Sequence, residues 1–113
     1  MTEGTLEEVA AICALKYSYF RCLDTKRFDE LGDLLTEDAT SAYKSGELSQ
    51  QGRDGIVAFL KESLSDPGMI TMHTGHHPEI QLTADGEATG TWYLEDRVIM
   101  LAADLEIQGT ALY

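Results

Sequence analysis

The feature that most constrains this chain is a change of hydrophobic period at Gly68: apolar residues recur at steps of three and four before it and alternate after it. Leu6, Val9, Ala10, Cys13, Tyr17 and Phe20 follow helical spacing, and Thr5 with Glu8 makes a capping-box pattern. This predicts a helix from about 5 to 24, ended by Asp24 or Thr25. FDELGDLL, from Phe28 to Leu35, predicts a second, shorter helix with Phe28, Leu31 and Leu34 or Leu35 inward, weakened slightly by Gly32. The polar stretch after it, with Ser45-Gly46 as its turn signal, predicts a marginal hairpin. From Gly52 to Leu64, the spacing of Ile56, Phe59, Leu60 and Leu64 predicts a third helix, which Asp66-Pro67-Gly68 stops.

Beyond Gly68, MITMHTGHHPEIQLT, then GEATGTWYLEDRVIM after an Asp85-Gly86 turn, then ADLEIQGTALY read as three strands of a meander. Ala88, Gly90, Trp92 and Leu94 share one face, as do Leu105, Ile107, Gly109, Ala111 and Tyr113. Helices first and antiparallel strands afterwards is the α+β pattern, in which the helices cover the concave face of one sheet. In an unbroken strand His73 and His77 face one way with Met69 and Thr71, while Ile70 and Met72 face the other, and Pro78 bends the chain beyond it. Apolar surface on that second face leads us to expect a homodimer.

A chain of 113 residues has room for one domain around one core. Eight Lys and Arg stand against 20 Asp and Glu, so a phosphate backbone or an anionic membrane surface is repelled. No apolar run approaches the ~20 residues that span a bilayer, and the acidic start MTEGTLEEVA is unlike a signal peptide, which predicts a cytoplasmic protein. Cys13 and Cys22 fall on opposite faces of one helix, on the order of 13 Å apart, and are expected to pack rather than bridge.

YFRCLDTKRFDELGDLLTEDAT, GRDGIVAFL, HTGHHPEI and GEATGTWYLED, in that order, resemble the SnoaL-like polyketide cyclase and dehydratase branch of the nuclear-transport-factor-two-like superfamily. The resemblance implies a cone-shaped curved sheet wrapped around N-terminal helices and one pocket, with residues 1–113 as a single domain. It also implies one or two further strands beyond Tyr113, so that either residues are missing here or the cone has an open edge. Relatives of this fold include dehydratases, cyclases, isomerases, epoxide hydrolases and members with no known activity, and fold alone does not choose among them.

For the site, the resemblance matches Tyr19, Asp24 and His73 to catalytic positions. Helical geometry puts Asp24 in line with Leu6, Tyr17 and Phe20 at the centre of the apolar stripe, and Tyr19 at its edge. A carboxylate there needs a partner or a raised pKa with a task; the bland alternative is a helix-end acid that points to water. Tyr19 also reads as an amphipathic core-edge residue with Tyr17 or Tyr43 as substitutes, and His73 as a hydrogen-bonded core histidine. Phe20, Tyr43, His77, Trp92, Leu94, Leu105 and Ile107 are expected around the substrate, with Trp92, Leu94, Leu105 and Ile107 serving equally well as plain core. His73, His76 and His77 supply at most two inward ligands, so no metal and no cofactor are expected. Two functions fit these residues: a cofactor-independent dehydratase, isomerase or cyclase doing acid–base chemistry on a small apolar carbonyl or hydroxyl compound, or a non-catalytic binding module of the same fold.

Overall fold

Both halves of the pattern are realised in a computed structural model that describes residues 3–43, 46–83 and 86–113. The chain runs α1 (Glu3–Asp24), α2 (Phe28–Asp33), β1 (Thr40–Tyr43), β2 (Leu48–Gln51), α3 (Arg53–Leu64), β3 (Met69–Leu82), β4 (Ala88–Met100) and β5 (Leu105–Leu112), with a 3-10 turn at Leu101–Ala103. β3, β4 and β5 form an antiparallel meander, and β1 with β2 forms a separate hairpin. Ser45 and Asp85, the first residues of the two expected turns, lie outside the described residues; Gly46 and Gly86 both take positive φ. Among the described residues no helix is long and apolar enough to cross a membrane.

Three boundaries differ from expectation. Helix α1 already includes Glu3, so Thr5 sits in its first turn instead of capping it. Helix α2 stops at Asp33, because Leu34 and Leu35 close the tighter i−3 bonds to Leu31 and Gly32 that commonly end a helix. Helix α3 starts at Arg53 behind Gly52, whose φ of 80° no side chain would favour.

The core gathers where the three helices meet the sheet: Phe20, Cys22 and Leu23 from α1, Phe28 and Leu31 from α2, Ile56 and Leu60 from α3, and Leu94 from β4. Complete burial of each such Leu, Ile or Phe contributes roughly 1.5–3 kcal/mol. Every buried residue of α1 lies in its last five positions, and its N-terminal half runs past the elements that could cover it. Leu6 is therefore more than half exposed, and Tyr17, nearer the C-terminal end, is about half exposed because it lies off the face that packs. The stripe that packs, Ile12, Lys16, Tyr19, Phe20 and Leu23, lies roughly a fifth of a turn further round.

Lys26, in left-handed conformation just after α1, donates from Nζ to the carbonyls of Leu64 and Met69. One cation thus caps the C-terminus of α3 and fixes the start of β3 against the end of α1.

Along β3 the alternation changes phase. His76 pairs with Tyr93 and Glu79 with Thr91, so His77 and Pro78 together oppose Trp92 in a bulge, with His77 at φ 52°. The bulge turns Ile80 and Leu82 to the face of Trp92, whereas unbroken alternation would have put Glu79 and Gln81 there. Ile70, Met72 and Tyr93 are exposed on the opposite face. Leu105 and Ile107 are in register with Met100 and Val98 on the Trp92 face, yet both remain about half exposed because the helices do not reach β5.

Gly75 sits opposite Leu94, where a Cβ would lie 2.6 Å from Cε2 of Phe20. Replacing Gly75 with Ala must push the Phe20 ring aside, and overpacking of this kind costs about 1–3 kcal/mol, to be read as a lower midpoint in urea unfolding with unchanged m-value.

Candidate functional site

The last residue of α1 and the first half of β3 build a polar cluster inside this apolar frame. Asp24 is three-quarters covered and accepts three hydrogen bonds: Thr71 Oγ1 at 2.9 Å and His73 Nδ1 at 2.7 Å on Oδ1, and the His73 backbone N–H at 3.0 Å on Oδ2. β3 is an edge strand of its sheet, so the His73 N–H has no ladder partner on that side, and the carboxylate fills the gap. Thr71 is buried and stands on the same face as His73, as alternation requires.

The arrangement fixes the chemistry of the imidazole. With Nδ1 held against a carboxylate, the neutral ring keeps its proton there and offers Nε2 as the proton acceptor. When Nε2 takes a proton, Asp24 stabilises the imidazolium. The His73 ring lies parallel to Phe20, with centroids 6.2 Å apart and planes 2° apart. Together Phe20, Asp24, His73, Tyr17, Thr74 and His76 line an open groove of about 520 Å³.

A second concavity lies beyond Phe20. A cavity of about 350 Å³ is lined by Ile12, Leu15, Lys16 and Tyr19 of α1, Leu34, Leu35, Thr40 to Tyr43, Ile56, Trp92 and Tyr113. The Tyr19 hydroxyl sits 2.8 Å from that of Tyr43 and 3.3 Å from that of Tyr113, where these groups share protons as hydrogen bonds. Burial, reinforced by the neighbouring phenols, pushes the Tyr19 hydroxyl well above its ordinary pKa, and burial raises Tyr113 as well, so both are hydrogen-bonding groups and not anions at neutral pH. Lys16 places its ammonium 3.7 Å from the Tyr113 ring centroid and 5.0–5.3 Å from those of Tyr19, Phe20 and Trp92. Each such contact is worth about 0.5–2 kcal/mol. Burial nevertheless lowers the amine to about 8.

Of the expected residues, Asp24 and His73 meet, and Phe20 packs against them. Tyr19 does not join that pair: its hydroxyl belongs to the tyrosine cluster, since the helix turns it to the cavity side of Phe20. Tyr43 and Trp92 line the cavity, and Leu94 is buried in the core beside it. His77 is carried out to the exposed bulge, where its ring meets Tyr93, and Leu105 and Ile107 line neither concavity. Lys16 and Tyr113 are site residues that sequence reasoning misses. The signal for Lys16 is present, because it stands three and four residues before Tyr19 and Phe20 on one helical face. Among the described residues no three His, Cys, Asp or Glu side chains cluster as metal ligands.

Residues 4–113 match the SnoaL-like domain family, and the chain belongs to it. Its fold is shared with ActVI-ORFA from Streptomyces coelicolor (TM-score 0.77, 20% identity, over 94% of this chain and 81% of that one). It is shared equally with a hexachlorocyclohexane dehydrochlorinase, LinA-type3, from Novosphingobium barchaimii (0.81, 16%, 96% and 73%). A Catenulispora acidiphila protein in complex with S-DNPA is also similar (0.78, 19%, 95% and 78%). At these identities the likeness concerns the fold.

Replacing Thr71 with Val keeps the shape and removes one donor from a carboxylate, which should cost about 1.5–3 kcal/mol. Chemical denaturation measures it, and a loss under about 0.5 kcal/mol, the low end for an ordinary hydrogen bond, would mean that the Thr71–Asp24 bond contributes nothing.

Proposed function

We propose that this protein is a cofactor-independent enzyme of the dehydratase, isomerase or cyclase type, acting on a small, largely apolar carbonyl or hydroxyl compound with His73 as proton carrier and Asp24 as its orienting partner. The observation that carries the reading is the 2.7 Å contact between His73 Nδ1 and an Asp24 carboxylate that Thr71 and the β3 backbone hold in place. Nε2 removes a proton beside a carbonyl, or from the carbon next to a leaving group, and the resulting imidazolium returns it to another carbon or to a departing hydroxyl. Assistance of this kind is worth roughly a hundredfold to ten-thousandfold in rate. That a dehydrochlorinase shares the fold supports elimination, in which a proton and a leaving group depart from neighbouring carbons.

A binding module is the competing reading, favoured by Phe20, which stands between the Asp24–His73 pair and the larger apolar lining of the second cavity. In either case we infer a homodimer through the face of Ile70, Met72 and Tyr93, which are 49, 57 and 61% exposed.

A panel of β-hydroxy ketones, cyclic enones and polychlorinated alicyclic compounds, followed in D2O for product and for deuterium uptake, separates the two. The enzyme reading expects turnover of at least one class. On that substrate Asp24→Asn and His73→Gln should each lower kcat at least about tenfold, and the double variant should be little worse than the poorer single one. Full activity in both single variants would remove the pair from the mechanism; binding without turnover would favour the module.

A further inference from the structure

Among the described residues Lys16 has no counter-ion, in a chain that carries 20 acidic residues. Its ammonium touches four aromatic rings, and among the described residues it makes neither an ion pair nor a hydrogen bond. Lack of an ion pair does not by itself set Lys16 apart, but an unpaired ammonium desolvated among aromatic rings beside a cavity is costly to keep charged. Trp92 and Ser41, which both line the cavity, each also carry a buried polar atom without a protein partner, the indole N–H and the hydroxyl. A buried donor left unmade is costly, and both of these groups can donate. Among the described residues the other ionisable groups lining the cavity are the phenols of Tyr19, Tyr43 and Tyr113, and no carboxylate side chain lines it. The remaining walls are apolar: Ile12, Leu15, Leu34, Leu35 and Ile56. The described lining thus offers one positive charge, phenolic donors and hydrocarbon surface, and no carboxylate side chain.

We propose that this cavity selects a small aromatic or alicyclic molecule carrying one anionic oxygen, a carboxylate or a phenolate, with Lys16 as the residue that pairs with its charge. The apolar body lies against the leucines and Ile56, and the tyrosine hydroxyls supply donors to the oxygen. A neutral analogue of the same shape fills the cavity and leaves Lys16 unpaired, so selectivity is for charge. Because burial holds the amine at about 8, the site is charged at neutral pH and loses its charge as pH rises through that value. Anion affinity is therefore full below about pH 8 and falls above it, whereas the affinity of a neutral analogue stays level. This anion site is independent of the role given to Asp24 and His73.

Calorimetric titration tests it with two matched pairs, 2-naphthoate against 2-naphthamide and 4-nitrophenolate against nitrobenzene, at pH 7.5. At least one anion should bind ten times or more tighter than its neutral partner; preference in the first pair alone identifies a carboxylate, in the second alone a phenolate. Lys16→Met should abolish the preference while keeping affinity for the neutral compound, which also shows that the variant is folded. Between pH 8 and 9.5 the preferred anion should weaken about tenfold on the wild type and stay level on Lys16→Met, with 2-naphthamide as the reference for each. Asp24→Asn should keep the preference, so that loss of the catalytic pair and loss of the anion site are read separately. Equal binding of anion and neutral compound, no measurable binding of either anion, or a preference that survives Lys16→Met would each overturn the proposal.

Discussion

One carboxylate holds the two halves of this fold in register. Asp24 is the last residue of α1, and its side chain receives the Thr71 hydroxyl, the His73 ring and the His73 backbone N–H, all from the edge strand of the sheet. Hydrophobic contact between a helix and a sheet leaves sliding and rotation cheap, because burial is not directional. Three hydrogen bonds to one carboxylate remove that freedom and protect part of an edge that would otherwise expose unpaired backbone. The Lys26 ammonium acts two residues later in the same way, tying α3 to the start of β3. The geometry of His73 is therefore a by-product of what aligns the helical and extended layers.

Much of the architecture is legible in the sequence because both its periods are strong. The alternation through Trp92 and Leu94 locates β4, and the three-and-four spacing through Ile56 and Leu60 locates α3. Depth is less legible than direction. Leu6 lies close to Phe20 in angle around α1, yet it is exposed, since a helical wheel does not say how far along the helix its neighbours extend. Leu105 and Ile107 show the same limit on a strand: alternation finds the correct face, and only the reach of the helices decides whether that face is covered. The Asp24–His73 pair comes from family resemblance and not from spacing, because its members are 49 residues apart. Lys16 escapes such reading because a cation on a helix is ordinarily a solvated residue; its significance comes from Trp92 and Tyr113, which the meander brings to it from far along the chain.

Phe20 gives the site its division. Its ring stacks on His73, meets Tyr19 and Tyr113 edge to face, and occupies the space left by the missing side chain of Gly75. A basic imidazole and a desolvated amine therefore share one aromatic neighbour while facing separate concavities. The ring helps to desolvate the amine and contributes no polar atom through which a proton could pass between the two groups.

The bulge at His77 and Pro78 has a consequence for how chain length can vary in this sheet. Two residues there face Trp92 alone, so removing one would restore simple one-to-one pairing and leave every side chain of Glu79 to Leu82 on its present face. Removing one residue between Thr74 and His76 would instead carry both Thr71 and His73 to the wrong side and take the donors away from Asp24. A single-residue deletion in β3 is thus expected to be tolerated at the bulge and to undo the alignment of helix and sheet when it falls between the bulge and His73.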